Sequence, residues 1–336
     1  MTFKRMQRLV AGVALVALTA GGALAETRLN LNSQPNEAGY PMWLADHLGL
    51  FADHGLTVET TYFPNGGAAL ASGVSGGWQA GWTGGPPAIS GWDKFKLISF
   101  GTMQKESRNL KLVMRKDAMA GMTPAEALAQ VRIGTVPNST WSQVLFACAD
   151  HLGVAHGDLE IVPLDPPVTR QSLRNGEVGA GTTAASADFD IVMDTAQFEV
   201  ICDGEIAGTS VIAPWIVTSR FWQDDPEAAA KFVDAVYEAN EFIRDNPDKA
   251  VDLALQYYAD TGIEGDKETA AYAFSLRDFQ TLDEAIADMQ SGATIDTLIA
   301  GAKVLVAAGA YDDVPDLESM QPVALEVLMA AKSLRN

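Results

Sequence analysis

The chain has 336 residues, 48% of them hydrophobic and 20% charged, with a formal net charge of −20. That length and apolar content suffice for two lobes, each with its own core, while the acidic balance excludes nucleic acid and anionic membrane surfaces as partners. The charge does not identify a ligand, because a cleft can be locally positive on an acidic protein.

In chain order, the first 25 residues have the layout of a secretory signal peptide. Lys4, Arg5 and Arg8 form a basic region, Leu9–Ala20 is apolar, and Ala23-Leu24-Ala25 is a cleavage site before Glu26. Cleavage is expected to leave a periplasmic protein of about 310 residues with a net charge of −23, since three basic and no acidic residues are removed. The apolar run is short for a membrane span, and no later stretch of about 18 apolar residues follows. No cysteine lies near the cleavage point, so no lipid anchor is expected there.

Strand-like and helix-like runs then alternate, which predicts an α/β fold with mixed, mostly parallel sheets flanked by helices. Thr27–Asn32 reads as a strand, Pro41–Phe51 as a helix closed by Gly49, and Leu56–Phe63 as a strand. Gly66–Val74 reads as a small-residue helix and Leu97–Met103 as another strand. The second lobe begins at Asn109–Met114. Thr123-Pro124-Ala125-Glu126 is a capping box with proline at the first helical position. Val131–Val136, Leu159–Pro163 and Glu199–Cys202 read as strands, and Thr140–Leu152 as a helix stopped by Gly153. Ser210–Thr218 reads as a strand crossing back to the first lobe. Residues 26–108 and 216–336 are thus expected in lobe 1 and 109–215 in lobe 2, joined by two crossover strands.

The C-terminal half is helical. Asp225-Pro226 and Asn246-Pro247 are two cap-plus-proline starts. Phe232, Val236, Ala239 and Ile243 fall on one helical face, and Ala285–Ala308 adds more helix. One internal echo suggests two similar lobes. Pro35-Asn36 precedes Ala45-Asp46-His47-Leu48-Gly49, and Pro137-Asn138 precedes Ala149-Asp150-His151-Leu152-Gly153. Each lobe would then present a loop and helix N-terminus at the carboxyl end of a strand, where open α/β sheets bind ligands.

Several stretches are candidates for chemistry. Pro137-Asn138-Ser139-Thr140 opens a helix and can offer amide and hydroxyl donors to an anion; alternatively Asn138 or Ser139 simply caps the helix. Gly81-Trp82-Thr83-Gly84-Gly85-Pro86-Pro87 is either a close-approach ligand loop or a plain turn. Of seven tryptophans, Trp82, Trp141 and Trp215 sit in or beside these loops, and Trp43 and Trp222 are expected in the core. Gly73-Val74-Ser75-Gly76-Gly77 matches G-x-S-x-G, but a helical run precedes it where a nucleophile elbow needs a strand. Asp188 and Asp190 read as a solvated face, and His47 and His151 as helix-end residues. There is no H-E-x-x-H, P-loop or G-x-G-x-x-G, so no enzyme, metal or cofactor is expected. For Cys148 on a helix and Cys202 on a strand, buried free thiols are expected, with a disulfide as the alternative an oxidising compartment permits.

Taken in order, these stretches resemble the periplasmic substrate-binding proteins of ABC importers, of the sulfonate, taurine and nitrate type, whose wider superfamily includes thiamine-precursor binders. Trp43–Phe51 followed by His54–Glu59 is similar to the family's opening helix and strand. Gly66–Leu70 and Thr83–Pro87 resemble its first-lobe ligand loops, Asn138-Ser139-Thr140 its second-lobe anion loop, and Gln171–Val178 a helix and turn before a second-lobe strand. The likeness spans Glu26 to Asn336. It implies a two-lobed type II binding protein that closes by hinge motion around a solute and delivers it to a membrane permease.

A monomer is expected. The resemblance implies a ligand shell of Gln34, Asn36, Thr83, Gly84, Ser139, Thr140 and Trp215; Glu37, Trp82, Asn138 and Trp141 complete the candidate set. The expected solute is a small organic anion, a sulfonate or amino-sulfonate, with Glu37 a candidate for an ammonium group. The alternative is an aromatic heterocycle such as a thiamine pyrimidine precursor. Two departures from the family pattern point to a reshaped pocket: Trp78-Gln79-Ala80-Gly81-Trp82, where a small residue and an aspartate are common, and Ala180-Gly181-Thr182-Thr183, without the usual aspartate-alanine pair. The related pyrimidine synthases depend on a cysteine-rich iron motif, which two separated cysteines cannot supply.

Overall fold

The computed structural model describes residues 27–185 and 187–335; the expected signal peptide lies outside them. The strands are β1 (Thr27–Ser33), β2 (Leu56–Tyr62), β3 (Ala80–Trp82), β4 (Leu97–Lys105), β5 (Leu110–Arg115), β6 (Arg132–Thr135), β7 (Glu160–Pro163), β8 (Ala180–Ala184), β9 (Phe198–Asp203), β10 (Ile212–Thr218) and β11 (Asp278–Phe279). They form a six-stranded sheet in the order β11-β4-β10-β3-β1-β2 and a five-stranded sheet in the order β7-β6-β8-β5-β9.

The pairings explain why the chain reads as mostly parallel although both sheets are mixed. In the first sheet β1 to β4 run the same way, and β10 inserts antiparallel between β3 and β4. In the second, β6 to β9 run the same way, and β5 inserts antiparallel between β8 and β9. Each inserted strand is the first after a crossing between lobes. The crossings are tied together: the Glu106 N–H donates to the Val211 carbonyl at 2.9 Å, and the Val211 N–H to Ser107 Oγ at 2.9 Å. Ile212–Trp215, expected in the second lobe, pair with β4 in the first sheet, so the return crossing precedes Ile212.

Local chemistry sets the elements. Thr123 and Glu126 form their capping box, and Gly153 ends Thr140–Leu152 in the left-handed conformation at φ 72°. Phe232, Val236, Ala239 and Ile243 are buried along the long helix Pro226–Asp245, where Phe232 packs edge-on against Trp215 of β10. Gly49, at φ 78°, splits the expected first helix into Tyr40–His47 and Leu50–Asp53. Asp225 caps its helix through the Ala228 N–H, whereas Asn246 gives its helix no side-chain cap. Strand β3 and the helix Gly85–Phe95 carry no sequence signal strong enough to expect them. Gly81 sits at φ 151°, and a Cβ there would lie 2.2 Å from the Asn32 carbonyl, so glycine is the residue that lets β3 pair with β1.

The cysteines overturn one expectation. Cys148 and Cys202 form a disulfide with Cα atoms 5.9 Å apart. The helix Thr140–Leu152 buries Val144, Leu145, Cys148 and Ala149 against the second sheet. That packing brings its thiol onto β9, a proximity that a sequence separation of 54 residues does not reveal.

Candidate functional site

In α/β folds the loops that follow parallel strands gather at their carboxyl ends, and ligands bind there. The segments after β1, β2 and β3 of the first sheet and after β6, β7 and β8 of the second all face one cleft of about 580 Å³. The crossing residues Glu106 and Asn109 also line it. The lobes meet at its edge: a Cβ on Gly84 would lie 3.1 Å from Thr140 Cγ2. They meet again where a Cβ on Gly301 would lie 3.1 Å from Gln143 Nε2. A larger groove of about 850 Å³ runs past Lys105, Arg244 and Asp288, but its walls come from the first lobe alone.

Of the expected ligand residues, Gln34, Asn36, Glu37, Trp82, Gly84, Ser139, Thr140 and Trp141 line the cleft. The loop bearing the first three is pinned from behind, since the Tyr257 hydroxyl donates to the Asn36 carbonyl at 2.6 Å. Trp82 is buried, and its indole N–H donates to Ser33 Oγ at 2.9 Å. Trp141 is half-buried, so its ring forms part of the wall.

Thr83, Asn138 and Trp215 do not line the cleft. The Thr83 side chain is buried, and a Cβ on Gly66 would lie 2.7 Å from its hydroxyl. Asn138 is exposed at φ 50°. Trp215 is fully buried in the first-lobe core, because β10 is covered on both faces.

The two loops of the internal echo differ in use. Asn36 accepts from the Ala38 N–H at 3.0 Å and caps a single 3-10 turn, whereas Asn138 only turns the chain into Ser139. Ser139 then serves as the cap: its hydroxyl donates to the Val136 carbonyl at 2.7 Å and accepts from the Trp141 N–H at 3.2 Å. The adjoining Thr140 hydroxyl stands at the cleft without a hydrogen-bond partner among the described residues.

Anion binding by helix N-termini needs free N–H groups. Two helices that point at the cleft begin with proline pairs, Pro86-Pro87 and Pro166-Pro167, and proline has no N–H to give. Donors are therefore concentrated around Thr140 and around the helix Gly66–Val74, where Asn65 Oδ1 already caps the Ala68 N–H at 2.9 Å.

The charges come from residues with no motif to mark them. Glu106 and Arg277 face each other at 3.8 Å, both nearly buried. Burial pushes the Glu106 carboxyl up; Arg277 and the Gln104 amide oppose that, and the Glu37 charge adds to it. Asp188, expected on a solvated face, is buried instead: its Oδ2 accepts from the Ala184 N–H at 3.2 Å, and its Oδ1 lies 3.6 Å from Arg170 Nε. Burial raises its pKa to about 7 against the pull of Arg170. Asp190 is exposed and paired with Arg174.

Asp188 has a testable consequence. Its folded pKa lies above the ordinary 3.8, so between about pH 4 and 7 the folded state holds a proton that the unfolded state has lost, and stability falls as pH rises. The raised pKa corresponds to a loss on the order of 4 kcal/mol over that window. Urea unfolding should show Asp188→Asn gaining on the wild type steadily from pH 4.5 to 7.5. A difference that does not change with pH would show that Asp188 does not titrate there.

Two further groups among the described residues are set in ordinary structural contacts. Ser75 is exposed at the end of a helix, its hydroxyl bonded to the Ala71 carbonyl, so it lacks the strand-to-helix turn of a nucleophile elbow. His54, Asp234 and Glu238 come within reach of one cation, but Arg335 already occupies Asp234.

The profile described as NMT1/THI5 like matches residues 36–250. The taurine-binding periplasmic protein of Escherichia coli (strain K12) is 25% identical over 253 residues, which is 74% of this chain and 75% of that protein. Two solved structures share the fold. One is the alkanesulfonate-binding protein SsuA of Xanthomonas axonopodis pv. citri bound to MOPS, with a TM-score of 0.64 and 14% identity over 84% of this chain and 97% of the other. The second is the nitrate-binding protein NrtA of Synechocystis PCC 6803, with a TM-score of 0.62 and 12% identity over 91% of this chain and 90% of the other.

Proposed function

The chain belongs to the NMT1/THI5-like family, and we propose that within it this protein is the periplasmic solute-binding component of an ABC importer. It captures a small organic anion of the sulfonate or taurine kind and hands it to a membrane permease. The observation that carries this reading is the cleft between the sheets, lined by loops from both lobes and flanked by the Gly84–Thr140 contact. The E. coli relative's name supports the ligand class. The signal-peptide layout of residues 1–25 supports export, and among the described residues no helix is long and apolar enough to cross a membrane.

In this reading the anionic group sits at the Thr140 hydroxyl and helix N-terminus, within reach of the Arg170 guanidinium, and Gln34, Asn36 and Gly84 close the other side. Trp82 and Trp141 shield the organic part. Thr83, Asn138 and Trp215 support the loops and core. The protein binds and releases without turnover. The half-buried Trp141 ring on the cleft wall favours a second reading, an aromatic heterocycle stacked there in the manner of a pyrimidine.

A thermal-shift panel of organic sulfonates, nitrate, carboxylates and pyrimidines tests the choice. A ligand at a hundred times its Kd adds about 2.7 kcal/mol to folding stability. The largest rise in Tm is expected with an organic sulfonate. A rise with pyrimidines alone would move the assignment to the heterocycle, and no rise with any anion would overturn it.

A further inference from the structure

The cleft has more buried negative charge than the capture of an anion explains. Its two arginines are each matched: Arg170 faces Asp188 at 3.6 Å and Arg277 faces Glu106 at 3.8 Å. That leaves Glu37. It is only 2% exposed, it lines the cleft, and its Oε1 accepts no hydrogen bond. Among the described residues no cation lies within ion-pair distance of it. Glu37 belongs to the first lobe and Asp188 to the second, and Glu106 lies on the crossing between them. The Glu37 charge favours protonation of both the others, so the three act on the same space.

A desolvated carboxylate without a partner is costly, because nothing replaces the water it has lost. Within a binding cleft the missing partner is naturally the solute. We propose that the captured solute carries a cationic group, a protonated amine or amidine, and that Glu37 is its counter-ion. This rests on reading the cleft as the solute site, and it narrows that reading to solutes bearing both charges. Plain alkanesulfonates and nitrate leave Glu37 buried and unpaired, so they are poor ligands. A cationic group lying against Glu37 also screens it from Asp188 and Glu106, which removes part of the repulsion between the lobes as they close.

Calorimetric titration of taurine and isethionate provides the test, since these sulfonates differ chiefly in bearing an ammonium or a hydroxyl group. In the wild type, taurine is expected to bind at least about 30-fold tighter, in line with the loss when one partner of a buried charge pair is missing. In Glu37→Gln the ratio should collapse toward one through weaker taurine binding. Isethionate binding as tightly as taurine to the wild type, or an unchanged ratio in Glu37→Gln, would overturn the proposal while leaving sulfonate capture intact. If neither sulfonate binds, the anion assignment fails and the ligand-free protein decides. Glu37→Gln should then raise Tm by about 2–4 °C as it removes an uncompensated charge, and an unchanged or lower Tm would overturn the counter-ion role.

Discussion

Replacing Gly84 with leucine is expected to weaken solute binding at least about 100-fold, equivalent to roughly 2.7 kcal/mol, while the ligand-free protein keeps nearly its wild-type unfolding midpoint. Gly84 follows β3 at φ −76° and ψ 163°, ordinary extended backbone that any residue adopts, so the substitution adds no local strain. Its hydrogens point across the seam between lobes. The first added carbon would already lie 3.1 Å from Thr140 Cγ2, closer than carbon atoms pack comfortably, and the rest of a leucine side chain must either push the lobes apart or fill the cleft that Gly84 lines. Separation costs little without solute, because most of each core lies within one lobe. It costs affinity, because the two walls no longer reach the solute together. Titration of the variant with any solute that binds the wild type checks this. Equal affinity would show that the lobes do not close at this seam.

Loss of the Cys148–Cys202 bridge should be the largest stability effect. The disulfide closes a loop of 54 residues, and the loop-entropy relation assigns such a closure about 4 kcal/mol. Both sulfurs are fully buried in the second-lobe core, so a small cavity term adds to it. Urea unfolding of Cys148→Ser/Cys202→Ser, or of the wild type under a reductant, should show the loss directly. A change below about 1 kcal/mol would show that the unfolded ensemble gains little freedom when the loop opens.

The fold was legible wherever one short stretch carries its own reason. The Thr123–Glu126 capping box, the glycine stop at Gly153 and the spacing of Phe232, Val236, Ala239 and Ile243 all form as their chemistry dictates. Three-residue β3 and the proline-headed helix after it are decided by tertiary contact, the approach of Asn32 to Gly81, and periodicity has nothing to register there. Most loops that line the cleft stand out by the same logic, as glycine-rich or Pro-Asn segments after strands.

The chemistry inside the cleft was not. Glu106 and Arg277 stand 171 positions apart in the chain and meet only because β11 joins the edge of β4. Asp188 reads as a surface residue until the turn after β8 buries it against Ala184. Trp215 sits opposite Trp82 in the β10–β3 pairing, yet Trp82 lines the cleft and Trp215 faces only the core. Strand position, and not residue type, separates them. The cysteines likewise needed the packing of a helix on its sheet.

Capture of a solute between the lobes is tested most directly by calorimetric titration of an organic sulfonate, taurine first, into the wild type and Gly84→Leu side by side. The prediction is saturable binding at one site per chain in the wild type and at least about a hundredfold weaker binding in the variant. No heat with any organic anion, or binding of equal strength in both proteins, would contradict capture of the solute between the lobes.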